Sequence, residues 1–174
     1  MRVKLALGLL ACAVVAPVAA APLAVASPTA TASTAPCTTA GLVIWIPDGL
    51  GNGTAGSIYY RLEFTNLSGQ TCTLSGFPTA VAIGLNGQRL GQRAKPEPGQ
   101  KPRLVKLVAG SSATAQLRIV EAGAIPTATC HPAMAAGLSV SPPGQASSRS
   151  VPLPFEACAR GTSVLSVGAF KPVK

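Results

Sequence analysis

Apolar and polar residues alternate with a period of two along much of the chain after residue 41. In the clearest run, 57–65, the even-numbered residues from Ile58 to Phe64 are apolar or aromatic, and the odd-numbered residues from Tyr59 to Thr65 are mostly polar. This pattern predicts an antiparallel strand with one buried face. In the run 42–46 both alternating sets are apolar, which predicts a strand buried on both faces, with Trp45 in the core rather than serving as a ligand platform.

Shorter runs predict further strands, separated by turn signals. One short strand begins at Cys72. The others lie near residues 81–85, 88–93, 103–108, 112–120, 137–141, 151–155 and 164–170. Asn86-Gly87 predicts a tight hairpin turn. The prolines at 152 and 154 cannot donate to a ladder, so 151–155 is predicted to be an edge strand.

Two segments lack the strand pattern. Residues 95–102, KPEPGQKP, are typical of an extended polyproline-like loop, and residues 121–136 suggest a loop with one helical turn. The sequence therefore predicts an all-β fold, an immunoglobulin-like β-sandwich of about seven to nine short antiparallel strands.

The N-terminus has the features of an export signal. Met1 to Lys4 is cationic, Leu5 to Val18 is almost entirely apolar, and Ala24-Val25-Ala26 fits a signal-peptidase site. Residues 1–26 are therefore predicted to be a signal peptide and the protein to be secreted. The alternatives are a retained anchor helix and lipid attachment at Cys12, which follows Leu9-Leu10-Ala11.

The remaining chain divides into a spacer and one domain. Residues 27–36, SPTATASTAP, are small and polar and are predicted to be disordered. Residues 37–174 are long enough for a single domain. This part has no apolar run of the ~18 residues that a further membrane span would need.

Four cysteines remain after removal of the signal. They are Cys37, Cys72, Cys130 and Cys158. In an exported chain they predict two disulfides. Three connectivities are possible, and Cys37–Cys72 with Cys130–Cys158 is favoured because each bond joins near neighbours in sequence. A zinc site that uses these cysteines and His131 is disfavoured, since the chain has no CxxC pair.

The chain is basic but sparsely charged. Its 174 residues carry a formal net charge of +9, and charged residues make up 11%, against ~25% in an average protein. Loss of Arg2 and Lys4 with the signal leaves 9 − 2 = +7. A basic exported protein suits anionic wall polymers, lipid headgroups or acidic glycans. Nucleic acid is disfavoured as a partner, because few aromatic side chains are available to stack on bases.

One stretch concentrates the positive charge. It contains Arg89, Arg93, Lys95, Lys101, Arg103 and Lys106, opposed only by Glu97. These six residues are the candidate contact with an anionic surface. The alternative is that they keep edge strands from pairing with other chains and maintain solubility.

No catalytic or cofactor motif is present. His131 and Asp48 are the only residues of their types, and each falls in a predicted loop or turn. The four glutamates show no pairing in their spacing, and metal ligands other than the cysteines are too sparse for a site. The sequence therefore predicts a protein that is not an enzyme and holds no metal or cofactor.

Five segments carry a recognisable pattern: FTNLSGQTCTLSGFP (64–78), LVAGSSA (107–113), Cys130 with Pro132, LSVSPP (138–143), and Cys158 with 164–170. Together they resemble a known family of uncharacterised, secreted actinobacterial domains, domain of unknown function 4232. The resemblance implies an exported immunoglobulin-like β-sandwich, often in an envelope setting. It implies no activity and no site residues.

The leading functional hypothesis is an interaction module of the cell envelope or the secreted fraction, which contacts an anionic polymer or an envelope protein. The alternatives are a small-ligand carrier, a protease inhibitor and, less favoured, a hydrolase. An apolar cleft between the sheets, lined by Trp45 or Tyr59, would favour the carrier.

Overall fold

The computed structural model describes residues 34–47, 49, 51–161 and 163–173. The predicted signal peptide and spacer residues 27–33 lie outside the described residues. Within them the chain forms thirteen strands and two short helical turns. The strands are β1 Leu42–Trp45, β2 Asn52–Thr54, β3 Ser57–Asn66, β4 Cys72–Leu74, β5 Thr79–Gly84, β6 Arg89–Leu90, β7 Lys95–Pro96, β8 Val105–Leu107, β9 Ser112–Val120, β10 Pro132–Ser141, β11 Arg149–Cys158, β12 Leu165–Val167 and β13 Lys171–Pro172. A 3-10 turn at Ala122–Ala124 and a helix α1 at Thr127–Cys130 occupy the segment that lacked a strand pattern.

The strands form two larger sheets and one small one. The first has the order β1-β3-β9-β12-β7, with β2 also paired to β3 and β13 to β9; the second has the order β11-β10-β5-β6; β4 and β8 pair separately. The buried residues of all three belong to one hydrophobic cluster. The predicted all-β sandwich is confirmed, and the described residues form more strands than the sequence indicated.

Aliphatic side chains fill most of the core. Leu62, Leu117, Leu138 and Val140 are fully buried on the inward faces of β3, β9 and β10. The main aromatic contribution is an edge-to-face pair between Phe64 and Phe170, whose ring centres lie 4.9 Å apart.

The prediction for β1 is wrong on one face. Leu42 and Ile44 are buried, but Val43 and Trp45 are 45% and 41% exposed. β1 lies at an edge of its sheet, and no described layer covers its outer face. Trp45 Nε1 donates to Thr65 Oγ1 at 3.4 Å, so the indole lies on the outer surface and not in the core.

The predicted turn at Asn86-Gly87 is confirmed, but strand β5 ends at Gly84, one residue earlier than predicted. Leu85 was expected to continue the buried pattern of Val81 and Ile83, yet it is 80% exposed. Gly84 N already donates to Gln88 O at 2.8 Å and closes the turn. Leu85 therefore belongs to the turn.

Strand β7 replaces part of the predicted polyproline-like loop. Lys95 and Pro96 pair with Ser166 and Val167 of β12. This pair is parallel, whereas the sequence suggested antiparallel strands throughout. The rest of the segment, 97–104, is a loop.

The predicted disulfides, Cys37–Cys72 and Cys130–Cys158, are both confirmed. The first attaches the N-terminal segment to β4, where Cys37 N donates to Thr73 O at 2.9 Å. Ala35 and Pro36, assigned by sequence to the spacer, also lie against Thr73. The second disulfide joins the end of α1 to the end of β11.

Strand β10 is twice as long as its predicted range, 137–141. A bulge between Ala135 and Gly137 shifts the register with both β11 and β5. Because the extra residue breaks the period of two, the first half of the strand did not show the strand pattern. β11 pairs only with β10 in its sheet, so the predicted edge strand is confirmed.

Substitution of Gly137 by alanine is expected to destabilise the domain by about 1–3 kcal/mol, the usual range for overpacking. A Cβ at this position would lie 2.3 Å from the Val151 carbonyl oxygen, and the strands would have to move apart. Gly53→Ala is the control, since a Cβ there meets nothing within 4 Å. Urea unfolding measures both variants. Equal midpoints for the two would show that the close approach at Gly137 is unimportant.

Candidate functional site

The structure divides the six predicted contact residues among three places. Arg89 and Arg93 line a cleft on the outer face of the four-stranded sheet. Lys95 lines another, beside Glu97 and Arg118. Lys101, Arg103 and Lys106 lie together along a groove of about 670 Å³. The basic stretch therefore does not form one continuous surface.

The loop 97–104 forms one side of the groove that contains Lys101, Arg103 and Lys106. Glu97 N donates to Val167 O at 2.8 Å, which fixes the start of the loop beside β12. Gln100 Oε1 then accepts from Ala169 N at 2.9 Å and holds the loop against the C-terminal segment. The groove consequently lies between residues 100–106 and residues 169–172.

A second cleft of about 340 Å³ adjoins the first, and Gln100, Ala169 and Lys171 line both. It extends over the outer face of the seven-stranded sheet, past Tyr59 and Arg61 of β3. We call the two clefts together the basic groove. Its cationic side chains are Arg61, Lys101, Arg103, Lys106 and Lys171.

No described carboxylate lines the basic groove. Glu97, the acid within the basic stretch, is engaged elsewhere. Its carboxylate lies 3.9 Å from Arg118 Nη1 and accepts a short hydrogen bond from Ser166 Oγ. Arg118 also donates to Ser57 Oγ at 3.2 Å. The positive charge of the groove is therefore not offset by this glutamate.

Lys171 is a groove residue that the sequence analysis missed. It stands opposite Thr114 in the β13–β9 pair and is exposed. No local signal marks it, because it lies far along the chain from Lys106 and reaches the groove only through sheet pairing. Arg61 was placed correctly on the outward face of its strand, but its proximity to Lys171 could not be predicted.

Of the two residues considered for a catalytic triad, the structure describes only His131. His131 is exposed and ends α1 in the left-handed region, with φ of 50°. Asp48 lies outside the described residues. Among those that are described, no three His, Cys, Asp or Glu side chains are grouped so that they could hold a metal ion.

A family model described as Domain of unknown function (DUF4232) matches residues 37–171. The chain belongs to this family. The match to DUF4232 begins at the first disulfide cysteine and extends to Lys171 in the basic groove. No curated protein and no solved structure matches the chain. No helix in the part that the structure describes is long and apolar enough to cross a membrane.

Proposed function

We propose that this DUF4232 domain is an exported, non-enzymatic module that binds an anionic polymer of the cell envelope through the basic groove. The observation that carries the proposal is a groove lined by the exposed Lys101, Arg103, Lys106 and Lys171 and by no described carboxylate. The two disulfides agree with an oxidising, extracellular environment, where such polymers occur.

The charges are arranged to attract an extended anion. Lys101, Arg103, Lys106 and Lys171 are all exposed, and none lies within 4 Å of a described carboxylate. A groove of one sign raises the local concentration of counter-ions and speeds association. Because these cations are exposed, salt will screen the attraction strongly.

The exposed cations of the groove favour a polymer over an enclosed small ligand. Small-molecule sites usually bury most of their ligand, whereas Lys101, Arg103, Lys106 and Lys171 stand exposed on the two sides of this groove. The apolar cleft between the sheets that would favour a carrier is not found within the described structure. Trp45 and Tyr59 lie on the outer face of the sheet, and the space between the sheets is filled by the core.

Replacement of Lys101, Arg103 and Lys106 by glutamine is expected to weaken polymer binding about 3- to 100-fold. Each exposed ion pair typically contributes a few tenths to 1 kcal/mol, so three together account for a loss of this size. Affinity would be measured for isolated cell walls and for polygalacturonate, a carboxylate polymer, across a salt series. Binding of the parent protein should fall steadily as salt rises.

The matched control is Lys95→Gln, Arg149→Gln, Arg160→Gln. It removes the same charge from exposed residues that do not line the groove. We expect it to bind almost as tightly as the parent. If both triple variants lose affinity equally, net charge and not the groove determines binding. Failure of the parent to bind either polymer at low salt would reject the proposed function.

A further inference from the structure

A second, smaller cleft lies on the outer face of the four-stranded sheet and has a volume of about 310 Å³. Strands β5 and β10 form its floor. Thr79 stands opposite Ser141, and Val81 stands opposite Ser139, in the antiparallel register of these strands. Paired residues on one face of a sheet lie about 5 Å apart at Cβ, so the hydroxyl groups are close neighbours.

The loop that follows β10 forms one wall of this cleft. Gln145 N donates to Pro142 O at 3.3 Å, which turns the chain back over the sheet. Ser139 Oγ then bonds to Ser148 Oγ at 2.7 Å and holds the end of the loop on the floor. Gln145 and Ser148 both line the cleft as a result.

Two arginines form the opposite wall. Arg89 pairs with Ile83 at the outer edge of β5. Arg93 follows in the next segment, which is fixed beside β5 because Ala94 N donates to Ala80 O at 2.7 Å. We call this site the arginine–serine cleft. It lies on the opposite sheet from the basic groove and shares no lining residue with it.

The cleft offers several hydrogen-bond donors and no described acid. No carboxylate lines it among the described residues. The side chains of Arg89, Arg93, Thr79, Ser141 and Gln145 form no hydrogen bond or ion pair with the described part of the chain. Ser141 is only 8% exposed, so its hydroxyl is held at the base of the site. These donors are therefore available to a ligand rich in acceptor oxygens.

We propose that the arginine–serine cleft binds the phosphoryl group of a small phosphate monoester. A planar carboxylate is well served by a single guanidinium fork. Here two guanidinium groups approach from one wall while hydroxyl and amide groups approach from the floor and the other wall. This arrangement suits a tetrahedral oxyanion, which can accept from several directions. The volume is near the lower end of small-ligand sites, about 300 Å³, which leaves room for a short polyol attached to the phosphate.

Calorimetric titration with glycerol 3-phosphate, inorganic phosphate and acetate tests this proposal on the exported protein. We expect glycerol 3-phosphate to bind saturably, at least tenfold more tightly than acetate. If inorganic phosphate binds equally well, the site recognises the phosphoryl group alone; if it binds more weakly, the polyol contributes. Lack of saturable binding at millimolar ester, or equal affinity for ester and acetate, would overturn the proposal.

Substitutions of the lining residues test whether the phosphate ester binds in the arginine–serine cleft. Arg89→Gln with Arg93→Gln should weaken ester binding at least tenfold, and Ser141→Ala should weaken it several-fold. The control, Lys95→Gln with Arg160→Gln, removes the same charge and should leave affinity unchanged. Both arginines are exposed, so thermal unfolding of their variant should match the parent. Equal loss in the control would reject the cleft as the site.

The test of phosphate-ester binding can be distinguished from the test of polymer binding to the basic groove. Polygalacturonate carries no phosphate, so binding of it that is lost in the Lys101, Arg103, Lys106 variant and kept in the Arg89, Arg93 variant reports the groove. Glycerol 3-phosphate binding that persists in the Lys101, Arg103, Lys106 variant would support the second site even if no polymer binds.

Discussion

Removal of both disulfides is expected to leave the domain largely unfolded near about 37 °C, as is common for small secreted domains. The two bonds join residues 35 and 28 positions apart. Each bond lowers the entropy of the unfolded chain by closing a loop, and for loops of these lengths this stabilises the folded state by about 3.5–4 kcal/mol per bond. Their sum, about 7 kcal/mol, is comparable with the whole stability of a typical domain, about 5–15 kcal/mol.

Urea unfolding of three alanine variants measures this effect. Cys37→Ala with Cys72→Ala, and Cys130→Ala with Cys158→Ala, should each lose about half of the total, because the loops are similar in length. The quadruple variant should match the reduced parent protein. As a control, reductant should have no effect on the quadruple variant. A pair variant that unfolds at the same urea concentration as the parent would contradict the prediction for that bond.

Replacement of Asn66 by alanine is expected to lower the free energy of unfolding by about 3–5 kcal/mol, since it removes four hydrogen bonds of about 1 kcal/mol each, one of them to the carbonyl of the buried Leu107. Asn66 is 0% exposed. Its Nδ2 donates to the carbonyl oxygens of Gln70 and Leu107 at 2.7 and 3.0 Å. Its Oδ1 accepts from the Ser68 amide and hydroxyl at 3.0 and 2.7 Å. One side chain thus closes the turn after β3 and attaches that turn to β8.

Asn66→Asp should destabilise at least as strongly at neutral pH. Aspartate has the same shape, but it places an oxygen where Nδ2 faces two carbonyl oxygens, and it buries a charge. The control is Gln70→Ala, because only the backbone of Gln70 takes part in these hydrogen bonds. An exposed side chain of this kind should change stability by less than about 0.5 kcal/mol. If Asn66→Ala and Gln70→Ala unfold alike in urea, the buried amide is not the link we describe.

The fold was predictable where the signal is local. The alternation in 57–65 located β3, the Asn86-Gly87 pair located a hairpin, and the prolines of β11 marked an edge. Each of these features depends on residues that are near one another in sequence. The disulfide pairing also followed sequence proximity.

The errors have a common cause. The pattern of β1 showed apolar residues on both faces, but whether a second layer covers the outer face depends on strands elsewhere in the chain. Trp45 therefore proved to be exposed. In β10 the bulge at Gly137 shifted the alternation, and a bulge is visible only in the pairing with β5 and β11.

The candidate sites also combine features set by the local sequence with features set by contacts between distant residues. The sequence by itself determined most of the longer strands, the disulfides, the net charge and the presence of a basic stretch, because these depend on composition and on local pattern. Only the tertiary structure decided that Lys101, Arg103 and Lys106 join Arg61 and Lys171, while Arg89 and Arg93 lie on the other sheet. Residues distant in sequence become neighbours through sheet pairing, and side chains close in sequence separate when the chain passes from one sheet to the other.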